Sequence, residues 1–359
     1  KMKNKILEYL LKLEHPELNK KFIHRKNIKE INISENEIDI IIQLTIPFKR
    51  HLNAFKKLIT QKLGKLTNLS VTINIDIKII SHQSQQGVSL INGVKNVIAI
   101  ASGKGGVGKS SIAVNLALAL SEAGSNVGIL DADIYGPSQP QMLGINQKPN
   151  SKDGKSMDPI IAHGIQAMSI GFLVDQETPM IWRGPMVTNT LEQLLKETLW
   201  KNIDYLIIDL PPGTGDIQLT LAQKIPVTGA IIVTTPQDIA LLDARRGLKM
   251  FEKVNIPIIG IVENMTTHVC SNCGHKEHIF GKDGGIKMSK DYDTELLGSL
   301  PLDINIRKSL DDGCPSVTQD PNSPTSKIFN SIALKTALKI AELTEDHTSK
   351  FPKIVIENN

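Results

Sequence analysis

Cysteine is scarce in this chain, with three in 359 residues. Three thiols cannot build the bridge framework that holds small secreted domains together, so the fold must rest on a hydrophobic core. Aromatic residues are few as well, at 4%. That leaves few flat side chains for stacking on unpaired bases, which speaks against a nucleic-acid platform. No apolar run reaches the roughly 18 residues that a membrane-spanning helix needs. The stretch Lys1 to Lys12 is charged at a helical period and lacks the apolar centre of a secretory signal. The expectation is a cytoplasmic protein that binds neither membrane nor nucleic acid.

What is present is a composition of 40% hydrophobic and 22% charged residues, ordinary for a globular chain long enough for about two domains. The formal charge of +4 is unevenly spread. Residues 1 to 83 hold sixteen basic against eight acidic side chains, and the remainder is net acidic. Within residues 1–80, Ile6, Leu7, Leu10, Leu11 and Leu13 mark an amphipathic helix. Glu37 to Ile46 and Val71 to Ile79 alternate at period two, and Leu52 to Leu63 between them has helical spacing. These features predict a small α+β domain. Residues 81–93, rich in Ser, Gln and Gly, read as a linker, and residues 346–359 as a tail.

Residues 94–345 change character. Apolar runs at Val97 to Ala101, Val127 to Leu130, Ile165 to Ile170, Tyr205 to Leu210, Ala230 to Thr234, Ile258 to Val262 and Leu296 to Leu300 alternate with helical segments. That pattern predicts an α/β fold, a mostly parallel, doubly wound sheet with helices on both faces. Such sheets bind ligands at the carboxyl ends of their strands.

The first of those ends carries Gly103-Lys104-Gly105-Gly106-Val107-Gly108-Lys109-Ser110, followed by Ser111 and an Ala/Leu-rich helix. Strand, glycine loop and helix form the context of a phosphate loop, whose backbone N–H groups curl around phosphates at a helix N-terminus. Lys109 would hold the terminal phosphate oxygens and Ser110 would ligate Mg2+. Lys104 is a second lysine that an ordinary phosphate loop does not require. With it, the loop resembles the deviant version of the MinD, ParA, nitrogenase iron protein and Mrp families. The resemblance implies ATP, bound across a homodimer, with Lys104 reaching the partner's phosphates.

Other strand ends supply carboxylates. Asp131-Ala132-Asp133 ends the second run, where a carboxylate could orient water in line with a γ-phosphate. In the families just named, Asp133 has that role. Tyr205 to Asp209 is an apolar strand ending in the carboxylate that supports Mg2+. Gly213, in Pro211 to Asp216, can offer its N–H to a γ-phosphate and yield when that phosphate leaves. Asn264 has the paired donor and acceptor to read an adenine edge, a role that rests mainly on resemblance.

Beyond Asn264 stands Cys270-Ser271-Asn272-Cys273, followed by His275 and His278. Two thiolates at this spacing make half of a tetrahedral or cluster site. The histidines could complete a local zinc site, a second copy of the chain could complete a shared iron–sulfur cluster, or the pair could act as a redox dithiol. Cys314, in Asp312 to Pro315, reads as incidental.

Taken together, residues 94 to about 345 resemble the Mrp (ApbC) group of iron–sulfur cluster carrier ATPases. The matching stretches are Gly103 to Ser111, Asp131 to Ser138, Trp182-Arg183-Gly184-Pro185-Met186, Asp209 to Asp216, Thr234-Thr235-Pro236-Gln237, Glu263-Asn264-Met265, Cys270 to Cys273 and Pro301-Leu302-Asp303. The resemblance implies ATP hydrolysis, a homodimer, and a 4Fe-4S cluster held between two Cys270/Cys273 pairs for delivery to apoproteins, in exchange with scaffold proteins. The amino-terminal domain resembles the small domain of many Mrp proteins, with one departure. Where relatives often carry a cysteine, this chain has Pro47-Phe48-Lys49-Arg50-His51, which points to docking or structural work for that domain. A MinD- or ParA-like positioning ATPase and a zinc-stabilised nucleotide switch are the alternatives.

Overall fold

The run Val94–Ala101 becomes an inner strand of an eight-stranded sheet. Buried on both faces, such a strand is apolar almost throughout instead of alternating. Its neighbours on one side are Gly229–Thr234, Ile258–Glu263 and Leu296–Ser299, and on the other Ile203–Asp209, Val127–Asp131, Ile165–Ser169 and Ile160–Ala162. Every adjacent pair is parallel except the last. The computed structural model describes residues 2–85, 87–174 and 184–346. Trp182, Arg183 and nearly all of the expected tail fall outside them.

All seven strands expected within residues 94–345 lie in this sheet. The eighth, Ile160–Ala162, is an antiparallel edge strand that sequence reasoning passed over. It turns into Ile165–Ser169 through His163 and Gly164, both at positive φ (47° and 82°). That backbone suits the twist of a two-residue hairpin. The helix Lys109–Glu122 is buried on all sides from Ile112 to Leu120 and packs against the long helix Pro324–Glu342.

The small amino-terminal unit has a mixed sheet. Glu37–Leu44 pairs in parallel with Ser70–Ile77, joined by the crossover helix Leu52–Thr67. A third strand, Ile28–Ile33, runs antiparallel to Glu37–Leu44. Its register shifts between Ile28 and Glu30. That irregularity breaks the period-two spacing and hid the strand in the sequence. Phe22, Phe48 and Phe55 pack with their ring centroids 5.1 to 5.4 Å apart and close the core of this unit.

The segment expected as a linker is fastened at its start. Gln83 donates its N–H to the Thr344 carbonyl (2.9 Å), and Asp346 donates to Ser81 (3.0 Å). His82 is buried, with Nδ1 3.0 Å from Asn96 Oδ1. No described helix is long and apolar enough to cross a membrane.

Candidate functional site

The glycine loop leaves the carboxyl end of Val94–Ala101 and enters the helix that starts at Lys109. Gly106 and Gly108 adopt φ of +82° and +83°, which costs a residue with a Cβ about 1–2 kcal/mol. Gly103 is needed for a different reason. A Cβ there would lie 2.2 Å from the Asp243 carbonyl, in the backbone of the helix Asp238–Lys253. The outcome is a loop whose N–H groups, from Gly105 to Ser111, donate to no acceptor among the described residues. A continuous row of free donors at a helix N-terminus fits a polyphosphate.

Lys109, only 6% exposed, lies against the fully buried Asp209 carboxylate, to which its ammonium donates a hydrogen bond. Lys109 Nζ is also 3.9 Å from Asp133 Oδ2 and 3.4 Å from Ser110 Oγ. The second Asp209 oxygen accepts from Gln139 Nε2 at 2.9 Å, and Gln139 also reaches the Ser110 carbonyl at 3.2 Å. One cluster therefore gathers Lys109, Ser110, Asp133 and Asp209. Gln139 is a member that sequence reasoning missed. It carries no charge, and its only signal was its place just past Asp131 to Ser138. Gln139 Oε1 and Ser138 Oγ are buried without partners among the described residues, so the pocket keeps unspent polar atoms beside the carboxylates.

Asp131 serves the backbone. Its oxygens accept from the N–H groups of Asp133, Ser138 and Gln139 at 3.0–3.1 Å, and from Ser169 Oγ at 3.2 Å. Burial, and next the Asp209 charge, raise its pKa, while the N–H donors oppose that rise. Asp133 is also raised, chiefly by burial, with the nearby Lys109 charge opposing.

Gly213, at φ +111°, donates its N–H to the Ser102 carbonyl at 2.9 Å, so the following loop touches the root of the glycine loop. Lys104 is exposed, and among the described residues its ammonium has no ion-pair partner. Asn264 touches the loop directly. Its Nδ2 donates to the Val107 carbonyl at 3.0 Å, and its Oδ1 accepts from the Met265 N–H at 3.0 Å. Reading a base would require it to exchange or share those bonds.

Five residues past Met265 the chain reaches Cys270, in a small hairpin whose strands are His268–Val269 and Lys276–Glu277. Gly274 (φ +73°) donates to the Cys270 carbonyl at 2.9 Å and closes the turn. Cys270 is partly exposed and Cys273 exposed. Hydrogen bonds from the backbone N–H groups of Cys273 and then Asn272 lower the Cys270 pKa, which favours the thiolate that binds metal. His278 turns Nδ1 to the Thr266 carbonyl (2.9 Å), and His275 stands 3.7 Å from Glu277. Among the described residues no three His, Cys, Asp or Glu side chains converge as metal ligands. The local Cys2His2 arrangement is therefore not assembled among the described residues, and the cysteine pair stands as two free thiols at the surface.

Residues 93–337 match the family model of the NUBPL iron-transfer P-loop NTPases, and residues 3–75 match that of iron–sulfur cluster assembly proteins. The chain is 51% identical over 340 residues to the iron–sulfur cluster carrier protein of Escherichia coli K12, covering 92% of this chain and 90% of that one. It is 48% identical over 257 residues to the mouse iron–sulfur cluster transfer protein NUBPL, covering 71% and 81%. Among solved structures, a nucleotide-binding protein from Archaeoglobus fulgidus in complex with ADP superposes with a TM-score of 0.57 at 34% identity, over 66% of this chain and 91% of that one. The Pyrococcus horikoshii septum site-determining protein MinD shares the fold, with a TM-score of 0.50 at 22% identity over 66% and 94%.

Proposed function

The chain belongs to the family of NUBPL iron-transfer P-loop NTPases, and on that premise we propose that it carries a 4Fe-4S cluster to apoproteins and couples the transfer to ATP hydrolysis. The observation that carries this reading is the short path between its two halves. Asn264 hydrogen-bonds the phosphate loop at Val107, and the same segment runs on to Cys270. A change in the loop on nucleotide binding or release would reach the cysteine hairpin through six residues.

ATP would lie along the free N–H groups from Gly105 to Ser111, with Lys109 turning from Asp209 to the terminal phosphates. Ser110 and Asp209 would hold Mg2+, which when bound spreads the charge of the phosphates. Asp133, beside Lys109, would place the water that attacks the γ-phosphorus as the bond to the β-phosphate oxygen breaks. Gly213 would sense the γ-phosphate by giving up the bond from its N–H to the Ser102 carbonyl. Lys104, exposed and without an ion-pair partner among the described residues, would reach the nucleotide of a second copy and supply charge stabilisation in trans. In that homodimer each chain gives Cys270 and Cys273 to one shared cluster.

The test is anaerobic reconstitution with iron and sulfide, comparing the wild-type chain with Cys270→Ser/Cys273→Ser. The wild type is expected to gain broad visible absorbance with four irons per dimer, while the double variant gains none and still hydrolyses ATP. Absorbance retained by the double variant would remove the cysteine pair from the account.

A further inference from the structure

The helix behind the phosphate loop is gripped at its far end by the small domain. About 20 Å from Lys109, at the carboxyl end of Lys109–Glu122, the Lys49 N–H donates to the Ala123 carbonyl at 3.1 Å. Arg50 Nη2 pairs with Glu122 Oε1 at 2.9 Å. Gly124, at φ +109°, lets the strap lie flat, since a Cβ there would meet Lys49 Cβ at 2.7 Å. Behind these contacts a cavity of about 10 Å³, roughly one water, lies between Phe48, Ala119, Ala123 and Asn330. The amide nitrogen of Asn330, one of the lining residues, is buried without a partner among the described residues. An N–H donor and a guanidinium at a helix carboxyl end satisfy a free carbonyl and oppose the negative pole of the helix.

We infer that Pro47–His51 is a positioning strap for the phosphate-loop helix, so that docking of the small domain and nucleotide binding are one linked equilibrium. The helix between the two ends is buried on all sides, and tilting either end moves the other. Nucleotide fixes the helix at Lys109 and Ser110, and the strap fixes it at Glu122 and Ala123. Whatever loosens the strap weakens the phosphate cradle, and by linkage bound nucleotide tightens the strap.

The inference rests on the nucleotide-site reading, and the experiment separates the two. Mant-ADP affinity with Mg2+ is measured on the full chain for wild type, Arg50→Glu, Glu122→Arg, the exchanged pair Arg50→Glu/Glu122→Arg, Arg50→Lys and Gly124→Ala. Amide exchange at Lys49 and Arg50 is followed with and without ADP. Each single charge reversal is expected to weaken ADP on the order of two- to fivefold, as suits a pair about one-third exposed. The exchanged pair and Arg50→Lys should recover, Gly124→Ala should weaken ADP at least as much, and ADP should slow exchange in the strap. Unchanged ADP affinity in both Arg50→Glu and Gly124→Ala overturns the linkage and leaves the strap as structural glue. A wild-type chain that binds no mant-ADP overturns the nucleotide-site reading and the linkage with it.

Discussion

Three glycines in the phosphate loop are required for three different reasons, so alanine at each should cost a different amount. At Gly106 a Cβ meets nothing within 4 Å, and only the φ of +82° resists it. The strain of about 1–2 kcal/mol is partly offset by about 0.4–1 kcal/mol from a stiffer unfolded chain, leaving about 1 kcal/mol. At Gly108 similar strain applies, and the new Cβ would also lie 2.3 Å from Asn264 Nδ2. Displacing that amide breaks its bond to Val107, which adds about 1 kcal/mol for a cost near 2. Gly103→Ala is the worst. Its Cβ would lie 2.2 Å from the Asp243 backbone, so the helix Asp238–Lys253 must shift, at about 3 kcal/mol. Urea unfolding followed by circular dichroism, without nucleotide, measures the series. Gly108→Ala combined with Asn264→Ala should lose about 1 kcal/mol less than the sum of the single losses. The reasoning fails if Gly106→Ala is as damaging as Gly103→Ala, or if the double variant is strictly additive.

Lys109→Met strands the Asp209 carboxylate, which is fully buried. Destabilisation of about 3–5 kcal/mol is expected, read by the same urea titration, together with loss of mant-ADP binding; Lys109→Met/Asp209→Asn should recover much of the stability and none of the binding. His15 is fully buried among Phe22, Phe48 and His51, and burial first, then the charge of His51, lower its pKa to about 4. The unfolded chain takes up its proton near pH 6.5 and the folded chain only near 4. Stability is therefore complete above about pH 6.5 and falls by up to about 3 kcal/mol as the pH drops to 4. His82, lowered chiefly by burial, acts in the same direction. His15→Gln should flatten the acid limb of a stability–pH curve, and an unchanged limb would remove His15 from the account.

The site was legible in the sequence wherever one residue type at one spacing sufficed. The loop glycines, Lys109 and the strand-end Asp133 and Asp209 announce themselves as candidates because the phosphate-loop pattern sets those residue types next to apolar runs. Gly103 was visible as a motif member, yet its reason was not, since the Asp243 backbone that excludes a Cβ lies far along the chain. Gln139 escaped because a neutral amide has no signature until the fold sets it beside Asp209. Asn264 was legible as a candidate, while its grip on Val107 was not, because a side-chain amide can serve a base or a backbone equally well. In the small domain the bulge between Ile28 and Glu30 destroyed the alternation that reveals strands. The edge strand Ile160–Ala162 is too short to show any period.

The clasp between residues 81–83 and 344–346 means that the boundary drawn along the sequence is not a boundary in space. A chain cut before residue 94, to isolate the nucleotide-binding part, would lose the backbone on which its own distal end is seated and would uncover Asn96, whose amide bonds to His82 and to the Ile80 carbonyl. Dissection is therefore better done by substitution within the intact polypeptide than by truncation.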